Sequence, residues 1–149
     1  MSAPMMLLIQ AQKARKKAKK DKAKAKAKRL KLRQSPKRLK VEADRLFSLL
    51  IRARGHCESG RDGCKGPLQC AHGFSRRYMG TRWVTENCFC LCAGHHLYWT
   101  HRPIEWDEWM RLKLGKFYEP LRHRALTLTT PDITLTVSEI KERLALLAS

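Results

Sequence analysis

The spacing of apolar side chains divides the chain into two helical regions and a weakly patterned segment between them. From Arg38, apolar residues recur at steps of three and four, which predicts an amphipathic helix that Gly55 ends. The stripe consists of Leu39, Ala43, Leu46, Phe47, Leu50 and Ile51. Residues 57–102 show little apolar periodicity and are rich in glycine, cysteine and histidine. Because this segment has too few apolar residues for an ordinary core, we expect a bound metal to stabilise it.

A helical spacing returns at Pro103, which suits a first helical turn, and we expect that helix to end at Gly115. The residues expected to line most of it are Ile104, Trp106, Trp109, Met110, Leu112 and Leu114. The tryptophans of "EWDEWM" should pack against the central segment. "KFYEPLRHRAL" predicts a second helix bent at Pro120. Thr136 and Glu139 form a capping box that predicts the start of the last helix.

Charge is distributed unevenly along the chain. Residues 1–40 contain sixteen Lys or Arg and one acid, a net charge of +15. Residues 41–149 contain sixteen Lys or Arg and twelve acids, a net charge of +4, which completes the +19 of the whole chain. The Lys/Ala run of the first part lacks the large apolar residues that a membrane-surface helix inserts, so it favours a nucleic-acid partner.

We therefore expect two parts in the chain. Residues 1–37 form a Lys/Ala-rich basic tail, a disordered or frayed helix that becomes ordered when phosphates neutralise it. Residues 38–149 form one folded domain, with a core at 57–102 and C-terminal helices at 103–149. The tail lysines expected to contact DNA include Lys16, Lys17, Lys19 and Lys20.

The six cysteines are best interpreted from the expected compartment. The first apolar run, "MSAPMMLLIQAQ", is too short for a secretion signal, and no stretch is long enough to span a bilayer. We therefore expect a cytoplasmic protein without a membrane partner. Thiols stay reduced in that compartment, so the cysteines indicate metal binding rather than disulfides.

A structural zinc prefers four tetrahedral Cys or His ligands, usually supplied as two pairs. Cys92 and His95 form one pair, because the two-residue gap lets both side chains reach one ion. We predict Cys57 and Cys64 as the second pair, since glycines make the six-residue gap between them foldable.

Competing ligand sets would use Cys70, Cys88 or Cys90. We interpret these three instead as buried, reduced thiols in short strands. Cys88 and Cys90 alternate with large apolar residues, as side chains on opposite faces of a strand do.

A second group of polar residues follows a defined order in the same segment. His72 ends a predicted strand ("LQCAH"), Asn87 opens another ("ENCFCL"), and His96 begins a helix directly after Cys92-Ala-Gly-His95. This order resembles the HNH endonucleases, the ββα-metal nucleases, in which an Asn lies five residues before a zinc-binding Cys. "AHGFSRR" and "TRWVTEN" make the chain most similar to the phage NinG-type recombination nucleases.

The resemblance implies an α+β fold, in which a small zinc-stapled ββα-metal (HNH) module is flanked by helices and preceded by the basic tail. His72 would be the general base that deprotonates the attacking water, and Asn87 would orient it. His96 would bind one catalytic divalent ion, Mg²⁺ or a transition metal. The arginines that would contact flanking phosphates are Arg76, Arg77 and Arg82.

The sequence departs from the family at Ala71, where an Asp or His commonly ligates the catalytic metal. His101 or Gln69 would then supply a second ligand. The implied function is metal-dependent DNA endonuclease activity, with branched or single-stranded DNA in phage recombination or replication as candidate substrates in a bacterial host. One alternative is a non-catalytic, zinc-stabilised nucleic-acid-binding accessory protein in which Ala71 marks a decayed site. Another is an adaptor that binds a protein through the tryptophan-rich helix.

Overall fold

The computed structural model describes residues 15–26 and 35–148. The chain divides into two units, with the boundary after Leu39. In the first unit, residues 15–26 form helix α1, whose side chains are all exposed, including the four lysines expected to contact DNA. The prediction of a disordered or frayed helix for residues 1–14 and 27–34 lies outside the described residues.

The remaining elements form a mixed α and β structure with one small sheet. They are α2 (Pro36–Arg52), β1 (Leu68–His72), β2 (Cys88–Cys92), α3 (Ala93–Thr100), α4 (Pro103–Leu114), α5 (Tyr118–Leu126) and α6 (Ile133–Ala148), with 3₁₀ turns at Thr85–Asn87 and Gly115–Phe117. The predicted mixture of helices and short strands is therefore confirmed. None of the helices in the described part of the chain has the length and apolar character that crossing a bilayer requires.

The sheet is an antiparallel pair with a core cluster packed on each face. His72 lies opposite Cys88, and Cys70 lies opposite Cys90. Every residue of β2 is buried. Cys88 and Cys90 belong to the core cluster that contains α2, whereas Phe89 belongs to a second cluster with α3 and α4. The predicted alternation of thiols and large apolar residues along β2 is thus confirmed.

The first core cluster forms between α2, the sheet and α6. The predicted stripe of α2 is confirmed, since its buried residues are Ala43, Leu46, Phe47, Leu50 and Ile51. Val137 and Ile140 of α6 complete the cluster, and Trp83 packs against it. Full burial of one large aliphatic side chain contributes about 1.5–3 kcal/mol, so this contact fixes α2 and α6 against the sheet.

The second core cluster is aromatic. Phe89 contacts Trp109 edge to face with ring centroids 4.9 Å apart, and Trp106 stacks on Trp109 at 5.0 Å. Trp99 of α3 joins both tryptophans, so the expected packing of the α4 tryptophans on the central segment is confirmed.

Ile104 and Leu112 of α4 are 76% and 87% exposed, because α4 buries only the face that meets the sheet. Two predictions for the C-terminal helices were wrong in detail. Pro120 does not bend a longer helix, since it lies in the first turn of α5, where its missing N–H is not needed. The last helix starts one turn before Thr136, because the Asp132 carboxylate accepts hydrogen bonds from the first backbone N–H groups of α6.

A half-buried ion pair joins α2 to the loop between the strands. Arg82 donates to both carboxylate oxygens of Asp44, at 2.8 and 2.5 Å, and the Trp83 indole N–H donates to the same carboxylate at 2.9 Å. Burial alone would raise the pKa of Asp44, but the hydrogen bonds and charge of Arg82 outweigh it and hold that pKa below its usual value.

Asp44→Asn is expected to lower the free energy of unfolding by about 3 kcal/mol, because it leaves a mostly buried guanidinium without its counter-ion. Urea unfolding at neutral pH measures this. Glu42→Gln is the control: its carboxylate pairs with Lys141 at the surface, and we expect a loss below about 1 kcal/mol. The lowered pKa means that the Asp44 contribution is present above the ordinary carboxyl pKa and is lost at lower pH. Equal losses in the two variants at neutral pH would contradict this role.

Candidate functional site

Four predicted ligands meet at one point of the structure. Cys57 and Cys64 come from the loop between α2 and β1, Cys92 ends β2, and His95 lies in the first turn of α3. The distances from His95 Nδ1 to the three sulfurs are 3.4, 3.6 and 3.2 Å, respectively. A tetrahedral zinc with ordinary bond lengths would separate such a nitrogen and sulfur by about 3.6 Å. The cluster could therefore hold a structural metal such as zinc.

Backbone groups around the cluster are arranged as thiolate ligands need them. His95 Nε2 lies 3.1 Å from the Asp62 carbonyl oxygen, which can only accept, so Nε2 carries the proton and Nδ1 presents a lone pair to the sulfurs. The backbone N–H groups of Lys65 and His95 both donate to Cys92 Sγ at 3.4 Å. Another backbone N–H, that of Cys92, donates to Cys57 Sγ at 3.3 Å.

The loop that carries Cys57 and Cys64 can turn because of its glycines. Gly63, directly before Cys64, has φ of 79°, a conformation that side chains with a Cβ rarely adopt. Gly66 also has positive φ, and a Cβ there would lie 3.0 Å from the Ala93 Cβ. These glycines therefore let the loop fold back to the start of α3, although Cys57 and Cys64 are separated by more residues than is usual for a ligand pair.

The thiols of the cluster differ in proton affinity. Desolvation and the neighbouring thiols raise the pKa of Cys64 to about 11. Desolvation also acts on Cys92, but the N–H donors from His95 and Lys65 outweigh it and lower the pKa of Cys92 to about 7. Three sulfurs this close repel one another when ionised, so a cation between them would stabilise all three thiolates.

A cleft of about 160 Å³ lies beside this cluster. Its lining residues are Ala71, His72, His96, Trp99, Thr100, Pro103 and Trp106. His96 Nδ1 lies 2.6 Å from Gln69 Oε1, so Nδ1 carries the proton and Nε2 keeps its lone pair. Burial, with a smaller contribution from the Arg76 charge, lowers the pKa of His96, which favours this neutral form.

His72 is held in a comparable way. Its Nε2 donates to the Arg82 carbonyl oxygen at 3.0 Å, which leaves the lone pair on Nδ1. Burial lowers the pKa of His72 to about 4, against a smaller opposing effect of that hydrogen bond, and the Arg76 and Arg82 charges lower it further. His72 is therefore neutral at pH 7.

Asn87 is fully buried and ties the loop after β1 to the start of β2. Its side-chain N–H groups donate to the carbonyl oxygens of Phe74 and Thr81 at 3.0 Å, and its Oδ1 accepts from the Phe74 N–H at 2.7 Å. Gly73 lies directly beneath it, where a Cβ would meet Met110 Sδ at 2.6 Å and Asn87 Oδ1 at 3.1 Å. The amide thus fixes the chain immediately after His72.

Two of the predicted site residues have other surroundings. His101 is exposed at the C-terminal end of α3 and is not among the described residues that line the cleft. The Arg82 guanidinium is engaged by Asp44 and by the Arg76 carbonyl oxygen, so it is not free for a phosphate. Arg77, like Arg76, is exposed.

Residues that the sequence did not assign also shape this region. Gln69 was expected only as a possible ligand, but its side-chain oxygen accepts a hydrogen bond from His96 Nδ1–H. Asp44 carried no recognised signal beyond being an acid next to the apolar stripe of α2. The chain matches no protein-family model, curated protein or solved structure. Assignment of the cleft therefore rests on its own residues.

Metal removal should destabilise the domain strongly, because structural zinc sites contribute binding free energy on the order of 10 kcal/mol to folding. Chelation is expected to lower the unfolding temperature, and Cys64→Ser should abolish most of the difference between metal-loaded and chelated protein. Cys90→Ser is the control, since Cys90 is a thiol outside the four-residue cluster. Circular dichroism during heating measures both. An unchanged unfolding temperature after complete zinc removal would contradict a structural metal.

Proposed function

We propose that the chain is a metal-dependent DNA endonuclease of the HNH type, with a zinc held by Cys57, Cys64, Cys92 and His95. The observation that carries the proposal is that His72 and His96, two histidines with neutral imidazoles, both line one cleft. Each has one ring nitrogen fixed as a donor by the chain and the other left with a lone pair. Such a pair suits metal-dependent phosphodiester hydrolysis, in which one nitrogen can accept a proton from water and the other can bind a cation.

In this proposal His72 acts as the general base. Its Nδ1 takes a proton from water while its Nε2 remains bonded to the Arg82 carbonyl oxygen, which also stabilises the imidazolium that forms. Asn87 keeps the loop after His72 in place, which fixes the end of β1 at the edge of the cleft.

His96 is the proposed ligand of the catalytic ion through Nε2, and Gln69 keeps that nitrogen unprotonated. A divalent cation bound there would contact the scissile phosphate and stabilise the leaving 3′ oxygen. Ala71 supplies no ligand, so waters and the DNA phosphate would complete the coordination sphere, as Mg²⁺ accepts readily.

The proposed DNA contacts lie around the cleft and on α1. Arg76 is exposed, yet its charge acts on both His72 and His96, which puts it within electrostatic range of the cleft. Arg77 follows it on the same exposed loop. The exposed lysines of α1 would add sequence-independent, salt-dependent binding to the phosphate backbone.

The second candidate function is a non-catalytic, zinc-stabilised nucleic-acid-binding protein. Ala71 favours this second function, because alanine cannot bind a metal. If His72 serves as the base, His96 is the one imidazole among the described cleft residues that remains to bind a catalytic ion. Such a protein would bind DNA through the same arginines and lysines but would not cleave it.

Cleavage of supercoiled plasmid and of a four-way junction tests the proposal directly. With Mg²⁺ or Mn²⁺ we expect nicking that EDTA prevents, and His72→Ala should slow it by at least about 100-fold, the usual contribution of a general base. His123→Ala is the matched control, because His123 is an exposed histidine on α5. DNA binding should survive in both variants. Wild type that shifts DNA but never cuts it with any of these metals would favour the second candidate.

The pH dependence of cleavage gives an independent check. Because the pKa of His72 is about 4, well below 6.5, the free enzyme should retain its base in active form between pH 7 and pH 5. The acid limb of kcat/KM should therefore lie near pH 4 to 5 rather than near 6.5. The His72 ring titration, followed by NMR, should have the same low midpoint. In the unfolded chain His72 is protonated at higher pH than in the folded chain. The free energy of unfolding should therefore fall as the pH drops from 6.5 towards 4. A ring midpoint near 6.5 would contradict this assignment.

A further inference from the structure

A second group of metal-binding side chains lies on the α2-facing side of the sheet. The ligand atoms of Cys70, His72 and Cys88 are all within 4.8 Å of one another, and the group shares no residue with the four-ligand cluster. The strand register explains it: His72 is opposite Cys88 on neighbouring strands, and Cys70 is two residues before His72 on the same face. The group is therefore fixed by the sheet rather than by a loop.

We propose that Cys70, His72 and Cys88 form a second metal site, which takes a thiophilic divalent cation such as Zn²⁺ or Cd²⁺. Two sulfurs and one imidazole bind such ions more strongly than they bind Mg²⁺, which prefers oxygen ligands. Three protein ligands leave one position of a tetrahedral ion open for water or another small ligand. The site differs in this respect from the closed four-ligand cluster, and its ion should exchange more readily.

The surroundings suit the deprotonated ligands. The hydrogen bond with Cys88 lowers the pKa of Cys70 despite burial, and the Arg54 and Arg76 charges lower it further. Burial and the Cys70 sulfur raise the pKa of Cys88. On binding, the thiol protons pass to solvent. Two thiolates and one divalent cation then make a neutral unit, which the apolar side chains around Cys88 tolerate.

His72 also gives the site its connection to solvent. His72 is among the residues that line the cleft, while Cys70 is only half-buried and Cys88 is buried. The hydrogen bond from His72 Nε2 to the Arg82 carbonyl oxygen fixes the tautomer and orients the ring, as partners of metal-ligating histidines commonly do. An ion that reaches the group would therefore meet an imidazole that already has a free lone pair on Nδ1.

The site has a consequence for activity that rests on the proposed nuclease function. An ion bound to His72 Nδ1 occupies the lone pair that water activation needs. Thiophilic cations should therefore inhibit cleavage supported by Mg²⁺. Mg²⁺ itself should not inhibit, because it does not bind well to two thiolates. The chain would then stop cutting DNA when zinc is abundant.

The test counts ions on the full-length chain. Metal-free protein is titrated with Cd²⁺, dialysed and analysed by mass spectrometry, while thiolate-to-cadmium absorption follows each binding step. We expect two ions per wild-type chain and one in Cys70→Ser and Cys88→Ser, while Cys90→Ser keeps two because it is outside both clusters. His96→Ala should also keep two, which separates this site from the proposed catalytic ion. One ion in wild type, or two in Cys70→Ser, would overturn the proposal.

Two features of the design keep the outcomes distinct. If Cys88→Ser loses the native circular dichroism spectrum, the ion count of Cys70→Ser tests the site by itself. Cys70 is less buried than Cys88, so its substitution should disturb the fold less. The ratio of cleavage rates with and without Cd²⁺ is then compared between wild type and Cys70→Ser. The Cd²⁺ concentration needed for inhibition should be at least about tenfold higher in the variant, because loss even of a group that supports a ligand lowers metal affinity by about that factor. A second bound ion without cleavage under any condition would support this site and refute the nuclease.

Discussion

The cluster of Cys57, Cys64, Cys92 and His95 is the constraint on which the central segment depends. The loop from 57 to 66 contributes few buried side chains, so apolar packing alone would leave it undetermined. The four ligands join this loop to the end of β2 and the start of α3 at one point. His96 lies on α3, one residue after His95, and His72 lies opposite Cys88 on the paired strand, so the cluster adjoins both elements that carry the cleft histidines.

The three histidines of this region are oriented by one device, used three times. Each ring gives one N–H to an oxygen of the chain: His72 to a backbone carbonyl in the loop between the strands, His95 to one in the loop of the ligand pair, and His96 to an amide side chain on β1. In the neutral ring, each of these hydrogen bonds decides which nitrogen carries the proton and which keeps the lone pair. The orientation and tautomer of these imidazoles are thus set by the fold.

Local patterns in the sequence predicted the elements that depend on local forces. The stripe of α2 and the alternation of β2 follow from periodicity, and the Cys92–His95 pair follows from its two-residue gap. The partners of Arg82 and His96 could not be predicted, because Asp44 and Gln69 lie 38 and 27 residues away and meet them only after the sheet forms. The start of α6 was misplaced because two capping signals compete there, and the earlier one, Asp132, engages the helix.

The contact between α2 and α6 has a consequence for how the chain is made. The stripe of α2 is complete once Ile51 has left the ribosome, but the side chains that cover it, Val137 and Ile140, are synthesised much later. At about 5–20 residues per second, the interval is roughly 4–17 s. During that time the apolar stripe of α2 is uncovered, and a strongly cationic segment precedes it in the sequence. The like charge of that segment would oppose association of nascent chains until α6 can close the core.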